Sequence, residues 1–111
     1  YKKSYTQYCN APVTRGRYVR VIIDKQEVAP CLNVADVKVF SDNVNIAVGP
    51  LAKASLSSSY SYPFPPELAL DGNPDTFTHT SCGQVPEWLD IDLGASSKIT
   101  SVVVTNRADC C

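Results

Sequence analysis

The sequence of 111 residues contains no methionine, one histidine, one tryptophan and no Cys-x-x-Cys pair. A single histidine without such a pair supplies neither of the common zinc ligand sets, so the spacing argues against a zinc site. Charge of one sign is also lacking: 10 Lys+Arg stand against 11 Asp+Glu, a formal net charge of −1. That balance removes the basic footprint that nucleic-acid binding requires. No apolar run approaches the ~18 residues of a membrane span, and no signal-peptide pattern opens the chain. A start at Tyr1 with no methionine anywhere reads as a mature or excised piece. No segment of useful length carries the ~3.6-residue apolar period of an amphipathic helix, which excludes a helical bundle. No nucleophile motif accompanies His79, so an enzyme is not expected.

Cysteine, in contrast, is plentiful. Five in so short a chain suit a secreted, disulfide-bearing domain. The odd number leaves at least one thiol without a partner in this chain, which points to a further segment or a second chain.

Alternation and β-branched residues predict strands over 17–24, 34–40, 88–93 and 99–105, with a shorter one within 51–59. Residues 1–16 read as polar and irregular. The stretch 41–50 reads as a linker or long turn, and Gly94 to Ser97 as a turn. The prolines of Tyr60-Ser61-Tyr62-Pro63-Phe64-Pro65-Pro66 make an aromatic loop rather than a central strand. One helical turn fits 67–70, before the turn signal Asp71-Gly72-Asn73-Pro74-Asp75. The fold class expected is all-β, a sandwich or barrel with function on its loops.

The densest chemistry stands at Asn106-Arg107-Ala108-Asp109-Cys110-Cys111. Arg107 is a permanent cation, and Asp109 can orient it through a charge-assisted bond. The two cysteines are either paired separately or joined in a small ring that presents a polarizable sulfur face. Taken alone, these features have plain readings too. Arg107 with Asp109 is an ordinary surface ion pair, His79 an ordinary surface residue, Asp71-Gly72-Asn73 a simple turn.

The order of motifs is more informative than any one of them. Asn45-Ile46-Ala47, Gly49, Ala52 and the serines from Ser55 come first, then Ala69-Leu70-Asp71-Gly72-Asn73 and Thr78-His79-Thr80. Pro86-Glu87-Trp88-Leu89-Asp90-Ile91-Asp92-Leu93 and the cysteine-ended terminus follow. In that order they resemble the F-type lectin (fucolectin) family of the discoidin-like jelly-roll group. Cys9, Gly16-Arg17-Tyr18-Val19-Arg20-Val21 and Leu32-Asn33-Val34-Ala35-Asp36-Val37-Lys38-Val39-Phe40 resemble the closing strands of the same domain. The resemblance therefore implies a permuted and incomplete jelly-roll β-sandwich. Residues 1–40 would be the C-terminal strands of one repeat, 41–45 a linker, and 46–111 the N-terminal part of the next, together one folded unit.

The resemblance also implies a secreted module that binds terminal L-fucose on fucosylated glycans. His79 and Arg107 would be the polar anchors, Asp109 the residue that orients Arg107, and Cys110–Cys111 a vicinal disulfide against the sugar ring. A planar guanidinium matches two neighbouring hydroxyls, a histidine nitrogen adds a third contact, and an apolar wall takes the methyl group. Tyr60, Tyr62 and Phe64 are candidates for that wall, or simply cap the core. A structural calcium ion would sit on Asp71, Asn73, Thr76 and Asp36, with Thr76 in place of the family's serine and Asp36 in place of its glutamate. Cys31 and Cys82 would pair, and Cys9 would take a partner outside this sequence. The family's second binding arginine has no counterpart here. The competing expectation is a discoidin-like adhesion or structural module without sugar binding. Adjacent lectin repeats or a second copy of the chain are the expected protein partners, since an incomplete sandwich leaves sheet edges open.

Overall fold

The computed structural model describes residues 4–9, 14–23, 31–60, 64–82 and 86–107. Among them run strands β1 (Ser4–Tyr8), β2 (Arg15–Ile23), β3 (Val34–Ser41), β4 (Val44–Asn45), β5 (Lys53–Leu56), β6 (Glu87–Lys98) and β7 (Ser101–Asn106). One 3-10 turn, Pro66–Leu70, precedes β6. The strands form two sheets, ordered β1-β7-β3-β4 and β2-β6-β5, with every pairing antiparallel.

Strand β6 shows why the sheets stack. Glu87, Leu89, Ile91 and Leu93 are buried while Trp88, Asp90 and Asp92 between them are not, the period-two pattern of a sheet with one wet face. Leu89 and Ile91 meet Val34, Val37 and Val39 of β3 in a core completed by Ala47, Ala52, Ala69, Leu93 and Ile99. Burial of such aliphatic side chains is worth roughly 1.5–3 kcal/mol each and is the main force closing the sandwich. The core draws on residues before and after 41–45. The all-β sandwich expected from the alternation is the fold observed.

Four expectations need correction. Residues 1–16 are not all irregular: β1 pairs with β7 from Ser4↔Thr105 to Tyr8↔Ser101. Its five side chains are all exposed, so no apolar alternation marked it. Residues 41–50 are not one long loop. Asp42, with φ 55°, makes a tight turn after which Val44 pairs with Ser41 and Asn45 with Phe40. Asn45 Oδ1 fastens this hairpin by accepting from the backbone N–H groups of Val39 and Ala47, each at 3.1 Å.

Gly94 to Ser97 do not end a strand either. Strand β6 continues to Lys98 through a register shift, pairing Asp92 with Tyr18 and then Ser97 with Gly16. The extra residues bulge at Gly94, whose φ of +87° and closeness to Leu51 O leave room for no side chain. Finally, β7 begins at Ser101 rather than 99. Ile99 and Thr100 serve as a connection, donating their N–H groups to Thr14 O and Phe40 O at 2.8 Å.

Candidate functional site

Val34, the first residue of β3, joins the two segments that carry His79 and Arg107. Its carbonyl accepts the Thr78 N–H at 2.8 Å, and Leu32 O accepts the Thr80 N–H at 3.2 Å. Leu32 N–H returns a bond to Thr80 Oγ1 at 2.9 Å. On its other side Val34 pairs with Asn106, the last residue of β7, so Arg107 emerges at the same end of the sandwich. A sequence separation of nearly thirty residues is thus closed by one strand end.

The segment holding His79 is pinned from a second direction. Ser81 N–H donates to Ser58 Oγ and Ser81 Oγ to Ser59 O, both at 2.9 Å. Ser57 and Ser58 in turn donate to the buried Glu87 carboxylate, at 2.6 Å and at 2.8 and 2.9 Å. The serine run after β5 is therefore an anchor rather than part of the strand.

His79 is 9% exposed, not the surface residue its polar neighbours suggest. Nδ1 lies 2.7 Å from Thr80 O, an N–H donor bond that leaves Nε2 as the ring's open nitrogen. Tyr60 covers the imidazole at 4.3 Å between centroids and 30° between planes, and Phe64 lies 5.5 Å away. Phe64 stacks on Phe77 at 5.1 Å, and the Arg107 guanidinium lies 4.0 Å from the centre of the Phe77 ring. A continuous aromatic wall thus runs from the imidazole to the guanidinium.

Tyr60 and Phe64, candidates for a wall or a core cap, stand beside the imidazole. Phe77 was not anticipated, although its place two residues before His79 in an extended segment puts it on the same face. Asp109, Cys110, Cys111 and Tyr62 lie outside the described residues.

The four expected calcium ligands divide. Asp71 Oδ2 accepts from Thr76 Oγ1 at 2.6 Å, and Thr76 Oγ1 also lies 3.0 Å from Asn73 O, so three hard oxygens converge. Asp71 Oδ1 accepts the Asn73 N–H and Asn73 Oδ1 the Asp75 N–H, both at 2.9 Å, which shapes the turn. Such oxygens suit a hard cation. Asp36 is placed differently, buried in β3 with its carboxylate on the Lys38 ammonium.

Cys31 and Cys82 are joined by a disulfide with Cα atoms 4.5 Å apart, the pairing that the family pattern implied. Among the described residues Cys9 is a free thiol, half-buried and packed against the core.

The profile of a family described as "NedA-like, galactose-binding domain" matches residues 68–111. Fucolectin-6 of Anguilla japonica is 51% identical over 49 residues, covering 39% of this chain and 26% of that protein. Fucolectin of Anguilla anguilla is 50% identical over 48 residues, covering 39% and 30%. Fucolectin-1 of Anguilla japonica is 45% identical over 51 residues, covering 41% and 29%. The chain spans less than a third of the length of these relatives. No solved structure gives a significant match. Over residues 68–111 the chain is thus similar to this galactose-binding domain family, and over about 50 residues to the eel fucolectins, a likeness with which its all-β sandwich is consistent.

Proposed function

We propose that this chain is a carbohydrate-binding module of the lectin type whose ligand is a terminal L-fucose. The reading rests above all on the aromatic wall that runs from His79 to Arg107 through Phe77. A deoxy sugar has an apolar flank, a methyl group and adjacent hydroxyls. An aromatic surface edged by a guanidinium fork and an imidazole nitrogen complements that mixture, and water-exposed aliphatic grooves do not. Arg107 would donate to two neighbouring hydroxyls, and His79 Nε2 would face a third polar atom. Asp109, Cys110 and Cys111 would complete the far side. The matched fucolectins bear the sugar in their name and support the ligand class.

Calcium belongs to this proposal as a structural ion. Asp71, Asn73 and Thr76 would hold it, with Asp36 joining only if Lys38 gives way. The ion would contribute fixed positive charge that stiffens the loop leading to Phe77 and His79. Secretion is part of the same reading, because a disulfide such as Cys31–Cys82 persists in oxidising compartments. So is a repeat boundary at 41–45, with neighbouring repeats or a second copy covering the open edges of β1 and β2.

Retention on an L-fucose resin tests the function. The folded chain should bind, elute with free L-fucose rather than D-galactose, and pass unretained as Arg107→Ala. Passage of the folded wild-type chain would favour the discoidin-like adhesion module. The exposed Val44, Val48 and Leu51 around β4 are the observation behind that second reading.

A further inference from the structure

The disulfide does not stand alone. Both its sulfurs and an imidazole nitrogen of His79 lie within 4.8 Å of one another. Two thiolates and an imidazole are a ligand set for thiophilic divalent cations, zinc first among them. In a tetrahedral site with bonds of about 2.0–2.3 Å the ligand atoms stand roughly 3.5 Å apart, so opening the S–S bond needs only a small separation of the sulfurs. This set was not evident in the spacing, because only His79 and Cys82 are close in sequence while Cys31 lies 51 residues from Cys82.

The backbone around the cysteines is held independently of the bond between them. Leu32, next to Cys31, exchanges two hydrogen bonds with Thr80. Thr78 is bonded to Val34, and Ser81, next to Cys82, is bonded to Ser58 and Ser59. Reduction therefore leaves the two thiols facing each other. The Thr80 carbonyl holds His79 Nδ1–H, the arrangement that orients a metal-ligating histidine and presents Nε2 as ligand. Cys82 is exposed, so the fourth position opens to water.

We infer that the reduced chain holds zinc through Cys31 Sγ, Cys82 Sγ and His79 Nε2, so that thiol–disulfide exchange interconverts a covalent bridge and a metal site. A dithiol reductant supplies two electrons and two protons, becomes a cyclic disulfide, and leaves two thiols. Zinc then displaces those two protons. Because the metal would occupy His79 Nε2, zinc binding and sugar binding would compete for one imidazole.

The test uses the full chain as Cys9→Ser/Cys110→Ser/Cys111→Ser, so that Cys31 and Cys82 are its remaining cysteines. After reduction and removal of the dithiol without air, cobalt(II) is added as a spectroscopic probe. One cobalt per chain should give thiolate charge-transfer absorption and the intense visible bands of a tetrahedral site, all displaced by zinc. The oxidised chain should give none. Cys82→Ser should abolish the spectrum, and His79→Ala should weaken cobalt binding by more than about tenfold. A folded, reduced chain without these bands would overturn the inference. So would bands unchanged in His79→Ala, or loss of the β-sheet circular dichroism on reduction alone. Sugar binding is measured on the oxidised, zinc-free chain, so failure of either reading is seen separately.

Discussion

The guanidinium of Arg107 lies 4.0 Å from the centre of the Phe77 ring, a cation–π contact between the end of β7 and the segment before His79. The contact aligns the planar donor fork with the aromatic wall before any ligand arrives, which lowers the ordering cost of binding. Such contacts are worth about 0.5–2 kcal/mol. Phe77→Leu, which keeps an apolar side chain but not the ring face, should therefore raise the Kd for L-fucose by about 2–30-fold. Isothermal titration of both proteins checks this, and equal affinities would remove Phe77 from the site.

The core prediction concerns Leu89, which is fully buried on β6 between Val21 of β2 and Leu56 of β5. Leu89→Ala should lose about 2–5 kcal/mol through lost burial and a cavity at the centre of the sandwich. Urea unfolding followed by Trp88 fluorescence measures it, and a loss below about 1 kcal/mol would mean the sheets are not packed at this point.

Glu87 carries the anchor beneath the His79 segment. Its carboxylate is 2% exposed and accepts hydroxyl bonds from Ser57 and Ser58. Glu87→Ala should cost about 1–3 kcal/mol, because two half-buried hydroxyls lose their acceptor. It should also weaken fucose binding, since Ser58 Oγ positions Ser81. An unchanged fucose Kd in the folded variant would uncouple this anchor from the site.

Acid should act through Asp92 on the outer face of β6. A bidentate bond from Arg17, at 2.8 and 3.1 Å, holds the Asp92 carboxyl below the usual carboxylate range, and the Gly94 N–H adds to the effect. A carboxyl depressed in the folded state adds stability that is complete above the unfolded value, about 3.9. That stability is lost as pH falls from there through the folded value. Asp92→Asn should therefore lower stability at neutral pH and flatten this part of the acid-denaturation curve. Parallel curves for the two proteins would show that the pair adds nothing.

Much of the fold could be read from the chain because its strands obey one simple rule. β6 alternates Leu89, Ile91 and Leu93 with Trp88, Asp90 and Asp92, and β2 sets Val19, Val21 and Ile23 against Tyr18, Arg20 and Ile22. β1 escaped because an edge strand with all side chains in water needs no alternation. The 41–45 hairpin escaped because Asp42 takes a left-handed conformation that a linker and a tight turn signal equally well.

The site divides along similar lines. His79 and Arg107 were visible through the order of family motifs. The burial of His79, its tautomer and its aromatic neighbours were not, since they depend on where Thr78 and Thr80 attach to β3. Phe77 was hidden among the aromatic residues any core requires. His79 is three residues from Cys82 in the chain, but the approach of Cys31 to both is a property of the folded chain, set by the Leu32–Thr80 bonds.

Calorimetric titration of the oxidised, folded chain with L-fucose, using D-galactose as the control and repeating it with a calcium chelator, tests the central claim most directly. The account predicts saturable heat for L-fucose, far less for D-galactose, weaker binding after chelation, and none in Arg107→Ala. A folded, calcium-loaded chain that gives no heat with L-fucose would contradict it.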